Sequence, residues 1–275
     1  MSLAHSSSSV TDRFCPTSFL YHSSARGEVA PPVGVSSLHE PSEEHIDGLT
    51  AKPYWDAQES PDLFPWAAEL EAKSEIIQKE FQAQNAKQFA SDSVWQNQVM
   101  GGGWSAIRLQ RLGEWNGDNC AAFPETYQLL RSLQIPLAVR GVCFARQAPG
   151  SGVQPHSDGR NFILTAHLGI DIPEGCWIDV GGERRGWESG KLTTLDTSFQ
   201  HATGNPSESD RNVLILDFWH PELSEAERAA LEFVYSLRNK FDTGAVPPRR
   251  PRSLAQEEEG GLGRWFSNLM GGNEG

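Results

Sequence analysis

A histidine and an aspartate two residues apart, His156 and Asp158, have the types and the spacing to bind a metal ion. In an extended segment, residues i and i+2 point the same way, so this imidazole and this carboxylate can converge on one point. His201, at a predicted junction between a strand and a loop, is the natural third ligand. Two imidazoles and one carboxylate form the facial set of non-haem Fe(II) sites, which leaves positions open for a co-substrate and O₂.

Arg211, ten residues beyond His201, extends the pattern at the start of a predicted strand. Its guanidinium group can hold a carboxylate by two parallel hydrogen bonds. A dicarboxylic 2-oxo acid such as 2-oxoglutarate could then chelate iron at its other end. The four residues together therefore indicate an iron site that uses 2-oxoglutarate and O₂.

A second interpretation of the same residues stays open at this point. With eight histidines in the chain, an aspartate two positions after one of them is weak evidence by itself. His156 could be an exposed loop residue and His201 a turn residue. Arg211 could form a surface ion pair with Asp210 or Glu208.

The elements that must position these residues are predicted to be mostly β-strands. Short runs rich in β-branched and aromatic residues alternate with breaks rich in Gly and Pro, a pattern typical of an antiparallel sandwich or barrel. Helices are predicted over 63–90, with Ser60 or Asp62 as N-cap, over 124–133, and from the capping box at Ser224 to about Leu237. The pattern as a whole predicts a β jelly roll with flanking α-helices. The predicted strands are 137–147, 161–172, 176–181, 191–197 and 211–219.

Composition divides the 275 residues into three parts. The first part, 1–49, is a predicted disordered tail, because its Ser-rich stretch cannot bury enough apolar surface to offset its ordering entropy. The folded domain is predicted at 50–240. The last part, 241–275, carries a basic and an acidic block and is predicted to be a flexible tail.

Charge and cysteine usage exclude several function classes. The formal net charge of −13 argues against a nucleic-acid partner, which would need a basic face. The sequence contains no apolar run of about 18 residues, so no membrane-spanning helix is expected. Four scattered cysteines favour a reduced compartment and a soluble, cytoplasmic protein. Organelle targeting by the Ser-rich N-terminus stays open as an alternative.

Longer strings around these residues resemble the aspartyl/asparaginyl β-hydroxylase family. They are PHSDGRNFILTAHLGI, EGCWIDVGGERRGWESGKLTTLDTSFQH and RNVLILDFWHPELSEAER. The similarity runs from about Ala51 to Leu231, and GGGWSAIRLQRLGEW looks like part of the helical segment that precedes the family's β core. The resemblance implies a double-stranded β-helix (cupin-like jelly roll) and the use of Fe²⁺, 2-oxoglutarate and O₂.

The resemblance also implies roles for single residues. His156 and His201 match the iron-binding histidines, and Arg211 matches the arginine that grips the side carboxylate of 2-oxoglutarate. His167 matches a histidine near the other end of this co-substrate, although it could also be a satisfied core side chain. Asp158 stands where the membrane-anchored members have Gly, and we expect it to complete the iron ligands.

Two departures from the family concern the binding of carboxylates. Thr165 replaces an arginine that contacts carboxylates in the site, and Arg160 or Arg146 could take its place. Ala145 replaces a serine that helps to hold the co-substrate. These changes leave the identity of the substrate open.

The predicted function is Fe(II)- and 2-oxoglutarate-dependent hydroxylation of an unactivated C–H bond. The expected substrate is an amino acid, a short peptide or a related small molecule, attacked β to a carboxyl or amide group. Two alternatives stay open: the same chemistry with desaturation or ring formation as its outcome, and a non-catalytic jelly-roll module that binds or senses a ligand.

Overall fold

The structure, a computed structural model, describes residues 44–89, 100 and 102–243. The chain divides into two compact units, Met1–Phe233 and Val234–Gly275. The described part of the second unit, 234–243, is the end of the last helix, where the Thr243 hydroxyl donates to the Asn239 carbonyl over 2.8 Å. Most of both predicted tails, 1–43 and 244–275, lies outside the described residues.

Eleven strands and five helices make up the described elements. The helices are α1 (Ala67–Ala72), α2 (Ser74–Phe89), α3 (Gly117–Ala122), α4 (Pro124–Ser132) and α5 (Glu225–Asp242). The strands are β1 (Tyr54–Trp55), β2 (Trp104–Arg111), β3 (Glu114–Trp115), β4 (Leu137–Gln147), β5 (Ser151–His156), β6 (Ile163–Asp171), β7 (Trp177–Val180), β8 (Glu183–Arg185), β9 (Leu192–Asp196), β10 (His201–Asn205) and β11 (Arg211–Trp219).

The strands form two sheets whose named pairs are all antiparallel. The major sheet has seven strands in the order β1-β9-β6-β11-β4-β2-β3, and the minor sheet has four in the order β5-β10-β7-β8. Strands distant in sequence are neighbours in both sheets, as in a jelly roll. The predicted fold class, a jelly roll of the cupin type with flanking helices, is confirmed.

Two apolar cores lie on opposite faces of the major sheet. One core packs helical residues such as Ile77, Phe81 and Leu130 against the outer face of the sheet. The other joins its inner face to the minor sheet, for example through Val213 and Ile178. Because side chains alternate along a strand, every second residue of the major sheet faces the space between the sheets, where polar side chains can converge.

The five predicted strands are confirmed to within two residues at each end. The sequence did not predict β5 and β10, because SGVQPH and HATGN are rich in residues that are rare in strands. The segment from Trp104, expected to be helical, is strand β2 instead. Its alternation explains this result: Ile107 and Leu109 face the helices, whereas Trp104 and Ala106 face the minor sheet.

The helix predictions were correct in part. The helix expected over 63–90 begins at Ala67 without a side-chain cap, so neither Ser60 nor Asp62 is its N-cap. It is interrupted at Lys73, where the backbone leaves the helical region (φ −105°, ψ 6°). The capping box of the last helix is confirmed, because Ser224 N donates to Glu227 Oε2 over 2.8 Å and Glu227 N donates to Ser224 Oγ over 3.3 Å.

Residues 44–49, which the sequence analysis assigned to the N-terminal tail, include buried side chains. Glu44 and Ile46 are buried. Ile46 N donates to the Asn161 side chain over 2.9 Å, and the Asn161 amide donates back to Ile46 O over 2.8 Å. The segment therefore packs on the loop that follows Asp158, and its residues belong to the folded unit.

Candidate metal centre

The three candidate metal ligands meet at the end of strand β5. His156 ends β5 and lies directly opposite His201, the first residue of β10, in the antiparallel register. A register shift follows His201 on β10, as at a β-bulge. Asp158 lies two residues beyond the end of β5, and its backbone N–H donates to Thr197 O over 2.8 Å. Three residues distant along the chain are thus brought to one point.

The ligand atoms of these residues lie close enough to share one ion. One atom from each of His156, Asp158 and His201 lies within 4.8 Å of the others. The two imidazole rings are 4.2 Å apart between centroids, and His156 Nε2 is 4.0 Å from Asp158 Oδ1. Atoms that ligate a metal at about 2 Å lie roughly 3–4 Å from one another, so these distances fit an ion after small adjustments.

Both histidines are oriented by backbone carbonyl groups. His156 Nδ1 is 2.8 Å from Gln154 O, and His201 Nδ1 is 2.9 Å from Phe199 O. A carbonyl oxygen only accepts, so each Nδ1 carries the proton and each Nε2 keeps its lone pair. His156 Nε2 is buried without a hydrogen-bond partner among the described residues. This buried acceptor without a hydrogen-bond partner is available to a metal ion, so the residues fit the metal.

Burial and a neighbouring charge set the protonation states of His201 and Asp158. Burial lowers the pKa of His201, which favours the neutral imidazole. Burial alone would raise the pKa of Asp158, but the charge and the hydrogen bond of Arg140 outweigh it and hold that pKa well below its usual range. Near neutral pH, His201 is therefore a neutral imidazole and Asp158 a carboxylate, which are the forms that bind a metal ion.

Arg211 is a buried cation whose hydrogen-bond partner is neutral. Its side chain is almost completely buried, and its Nη2 donates to Gln147 Oε1 over 2.7 Å. Its guanidinium carbon lies 4.5 Å from the centre of the Trp187 ring. Burial lowers its pKa to about 10, so the group stays charged near neutral pH.

Among the described residues, no carboxylate pairs with Arg211. The surface ion pair with Asp210 or Glu208 is therefore not formed, and Arg146 pairs with Asp210 instead.

His167 lies on the inner face of β6, close enough to Arg211 and His201 to interact electrostatically with both. Its Nδ1 accepts a hydrogen bond from Trp187 Nε1 over 3.2 Å, so any proton on the neutral ring is carried by Nε2. Burial, with the positive charge of Arg211 next, lowers its pKa to about 3. His167 is thus a neutral donor, and its partner Trp187 also stacks on Arg211.

One residue of the site was missed by the sequence analysis. Arg140, on β4, donates from Nη1 to Asp158 Oδ2. Its Nη2 lies 2.9 Å from Asp217 Oδ1 and 3.1 Å from the hydroxyl oxygens of Thr165 and Thr197. An arginine inside the apolar run LAVRGVCF was the available signal, but strand alternation places it on the opposite face of the sheet.

The two arginines considered as substitutes for the family arginine lie elsewhere. Arg160 pairs with Glu44 over 3.3 Å. Arg146 pairs with Asp210 over 3.8 Å and lies over the Phe89 ring. Neither contacts Thr165, whereas Arg140 does.

Comparison with known proteins gives a consistent family. Residues 71–221 match the sequence profile of the aspartyl/asparaginyl beta-hydroxylase family. Human aspartyl/asparaginyl beta-hydroxylase is 32% identical over 193 residues, which are 68% of this chain and 25% of that protein. Human aspartate beta-hydroxylase domain-containing protein 2 is 34% identical over 146 residues, 51% of this chain and 40% of that protein. The chain spans about half or less of the length of the curated relatives it matches.

Among solved structures, a non-haem α-ketoglutarate-dependent epimerase from nogalamycin biosynthesis is similar to this chain. It aligns over 51% of this chain and 71% of its own, with 18% identity and a TM-score of 0.36.

Among the described helices, no segment combines the length and the apolar character that crossing a membrane requires.

Proposed function

Because the chain belongs to the aspartyl/asparaginyl β-hydroxylase family, we propose that it is an Fe(II)- and 2-oxoglutarate-dependent dioxygenase. The reaction converts a substrate C–H bond, 2-oxoglutarate and O₂ into C–OH, succinate and CO₂. A ferrous ion, when bound, supplies the redox chemistry that couples O₂ and 2-oxoglutarate to the C–H bond. The residues of this chain bind and orient the reactants and exclude water.

The observation that carries the proposal is the convergence of His156, Asp158 and His201. Their ligand atoms lie within 4.8 Å of one another, and backbone carbonyls accept from both Nδ1–H groups, which leaves both Nε2 atoms available as ligands. Three protein ligands leave the remaining positions of an octahedral ion for the 2-oxo acid and O₂.

Arg211 and His167 are proposed to bind the two ends of 2-oxoglutarate. Among the described residues, the buried positive charge of Arg211 has only the neutral Gln147 as a hydrogen-bond partner, so an incoming carboxylate would neutralise it. His167 would donate from Nε2 to the carboxylate next to the keto group, because Trp187 already donates to its Nδ1. Both residues orient 2-oxoglutarate, and neither transfers a proton during the reaction.

The substrate is proposed to approach a row of inward-facing residues across the major sheet. Arg108, Cys143, Ile215 and His167 are successive cross-strand partners on β2, β4, β11 and β6. The first three are only partly buried, whereas Ala145 and Val213 deeper in the same sheet are fully buried. This opening, with the guanidinium group of Arg108 on one side, suits an amino acid or short peptide with a carboxyl or amide group near the reacting carbon.

Formation of succinate by the purified chain tests the proposal. Fe(II), 2-oxoglutarate and O₂ are supplied with free and peptide-bound Asp and Asn, and products are analysed by mass. We expect substrate-dependent succinate and a product that has gained one oxygen atom. Loss of two hydrogens instead would indicate desaturation or ring formation, and 2-oxoglutarate bound but never consumed would indicate a non-catalytic module.

Two variants localise the activity. His201→Ala is expected to abolish succinate formation, because it removes one of three metal ligands. His45→Ala is the matched control, since His45 pairs with Asp47 outside the site and its loss should leave turnover unchanged. Equal turnover by the wild type and His201→Ala would remove His201 from the metal set.

A further inference from the structure

Arg140 reaches the metal centre from a distant strand. It lies on β4, whereas Thr165 lies on β6, and strand β11 separates these two strands in the sheet. The Arg140 guanidinium group nevertheless contacts Thr165 Oγ1 over 3.1 Å, Asp217 Oδ1 over 2.9 Å and Asp158 Oδ2. Thr165 in turn donates its hydroxyl hydrogen to Asp217 Oδ1 over 2.6 Å. One side chain thus links the carboxylate of the candidate metal ligand to two strands of the major sheet.

The two oxygens of the Asp158 carboxylate have different neighbours. Oδ2 accepts from Arg140, while Oδ1 is the oxygen 4.0 Å from His156 Nε2. A carboxylate held in this way offers a single oxygen to an ion, and its plane is fixed before the ion arrives. Hydrogen bonds of this kind to ligating carboxylates set ligand orientation in metal sites.

Asp217 makes this arrangement compatible with binding a cation. Burial raises the pKa of Asp217 and the charge of Arg140 opposes that rise; with both carboxylates ionised, Arg140, Asp158 and Asp217 together carry a net charge of −1. Without Asp217, Arg140 would cancel the charge of Asp158 and oppose a divalent cation. The acid on β11 therefore allows an arginine to orient the ligand without neutralising the site.

We propose that Arg140 is the positioning residue of this metal centre, fixing Asp158 as a one-oxygen ligand and replacing from β4 the arginine that the family carries at the position of Thr165. This inference rests on the proposed function, because it takes Asp158 to be a metal ligand. It adds a residue from a different strand, for which the geometry gives a role separate from substrate binding.

Binding of Co(II), used in place of Fe(II) because its visible spectrum reports ligand geometry, tests the inference without turnover. Arg140→Ala is expected to weaken Co(II) binding about 10- to 100-fold and to change the visible d–d absorption, since Asp158 is no longer held. Arg146→Ala is the matched control: it removes an arginine from the same strand that pairs with a different aspartate, Asp210, and should bind Co(II) like the wild type.

A second variant covers the case in which Arg140→Ala does not fold, because Asp158 and Asp217 would then lie side by side without a cation. Arg140→Lys keeps the charge but cannot span both acids with a fork, and we expect about tenfold weaker Co(II) binding. Wild-type affinity and spectrum in folded Arg140→Lys would overturn the inference.

A rescue experiment separates positioning from a general structural role. Arg140→Ala combined with Thr165→Arg returns a guanidinium group to the centre from β6, and we expect it to recover most of the lost affinity. A double variant that binds no better than Arg140→Ala would also overturn the inference.

Asp158→Ala distinguishes failure of this inference from failure of the proposed function. If Asp158→Ala binds Co(II) like the wild type, the proposed ligand set is wrong. If Asp158→Ala loses binding while both Arg140 variants keep it, only the role of Arg140 is wrong.

Discussion

At the scale of single residues, the charged guanidinium group of Arg211 is held by a neutral side chain, that of Gln147. Its side-chain oxygen accepts from both Thr203 Oγ1, over 2.8 Å, and Arg211 Nη2, over 2.7 Å. An amide fixes the guanidinium group without reducing its charge, whereas a carboxylate in the same place would neutralise it.

Gln147→Glu is therefore expected to weaken 2-oxoglutarate binding at least about tenfold, because Arg211 would already be paired. Anaerobic calorimetry of 2-oxoglutarate binding to the Mn(II)-loaded protein gives the dissociation constant. Co(II) binding to the same variant should be unchanged, since Gln147 does not touch the three candidate ligands.

Gln147→Met is the control for shape, because it removes the acceptor and adds no charge. We expect a smaller loss of 2-oxoglutarate affinity than in Gln147→Glu. If the glutamate variant bound 2-oxoglutarate as tightly as the wild type, Arg211 would not be its anchor.

At the scale of elements, one irregularity in β4 directs Arg140 toward the candidate metal centre. Gly141 has a positive φ of 78°, and the pairing of β4 with β11 shifts register between Val142 and Leu137, the stretch of β4 that contains this glycine. In a regular strand, Arg140 and Cys143 would face opposite sides of the sheet. The bulge turns Arg140 to the inner face, and a Cβ at position 141 would collide with the backbone carbonyl of Gln110.

Gly141→Ala is expected to destabilise the fold by more than the roughly 1–2 kcal/mol that a positive φ costs a residue with a side chain. It should also weaken Co(II) binding, because the bulge that aims Arg140 cannot persist. Chemical denaturation and a metal titration of the same preparation measure the two effects.

Gly113→Ala separates the effect of backbone strain from the effect of a steric clash. Gly113 has nearly the same φ, 79°, but an added Cβ would meet nothing within 4 Å. This variant should lose stability through strain alone and keep its affinity for Co(II). Equal effects of the two alanines would show that the bulge does not control the metal centre.

The same bulge explains how far the sequence could predict the site. His156 and Asp158 were predictable because their spacing is local, and His201 and Arg211 because the resemblance covers them. Arg140 was not, because a register shift at one glycine reverses the face that alternation predicts. Strands β5 and β10 were missed because their composition is that of loops, and pairing with β7 and with each other makes them strands.

At the scale of the whole molecule, buried neutral histidines make the stability depend on pH. The pKa of His167 is lowered to about 3 in the folded protein, against an ordinary value of 6.5 in the unfolded chain. The unfolded chain therefore takes up a proton below pH 6.5 that the folded protein does not. This contribution to stability is fully present above pH 6.5 and is lost as the pH falls toward 3.

His167→Gln removes this contribution while leaving an acceptor for Trp187. Between pH 7 and pH 4.5, the wild type should lose about 2–3 kcal/mol more unfolding free energy than the variant. Urea denaturation at both pH values measures the difference. Parallel losses in the two proteins would show that His167 is not held neutral by the fold.

The most direct test of the metal centre is an anaerobic titration with Fe(II) and 2-oxoglutarate, followed by the visible charge-transfer absorption that appears when a 2-oxo acid chelates Fe(II). The account predicts one Fe(II) per chain, an absorption band that saturates with 2-oxoglutarate, no band in His201→Ala, and a band in Arg211→Ala only at much higher 2-oxoglutarate. A wild-type protein without the band, or a His201→Ala protein with an unchanged band, would contradict it.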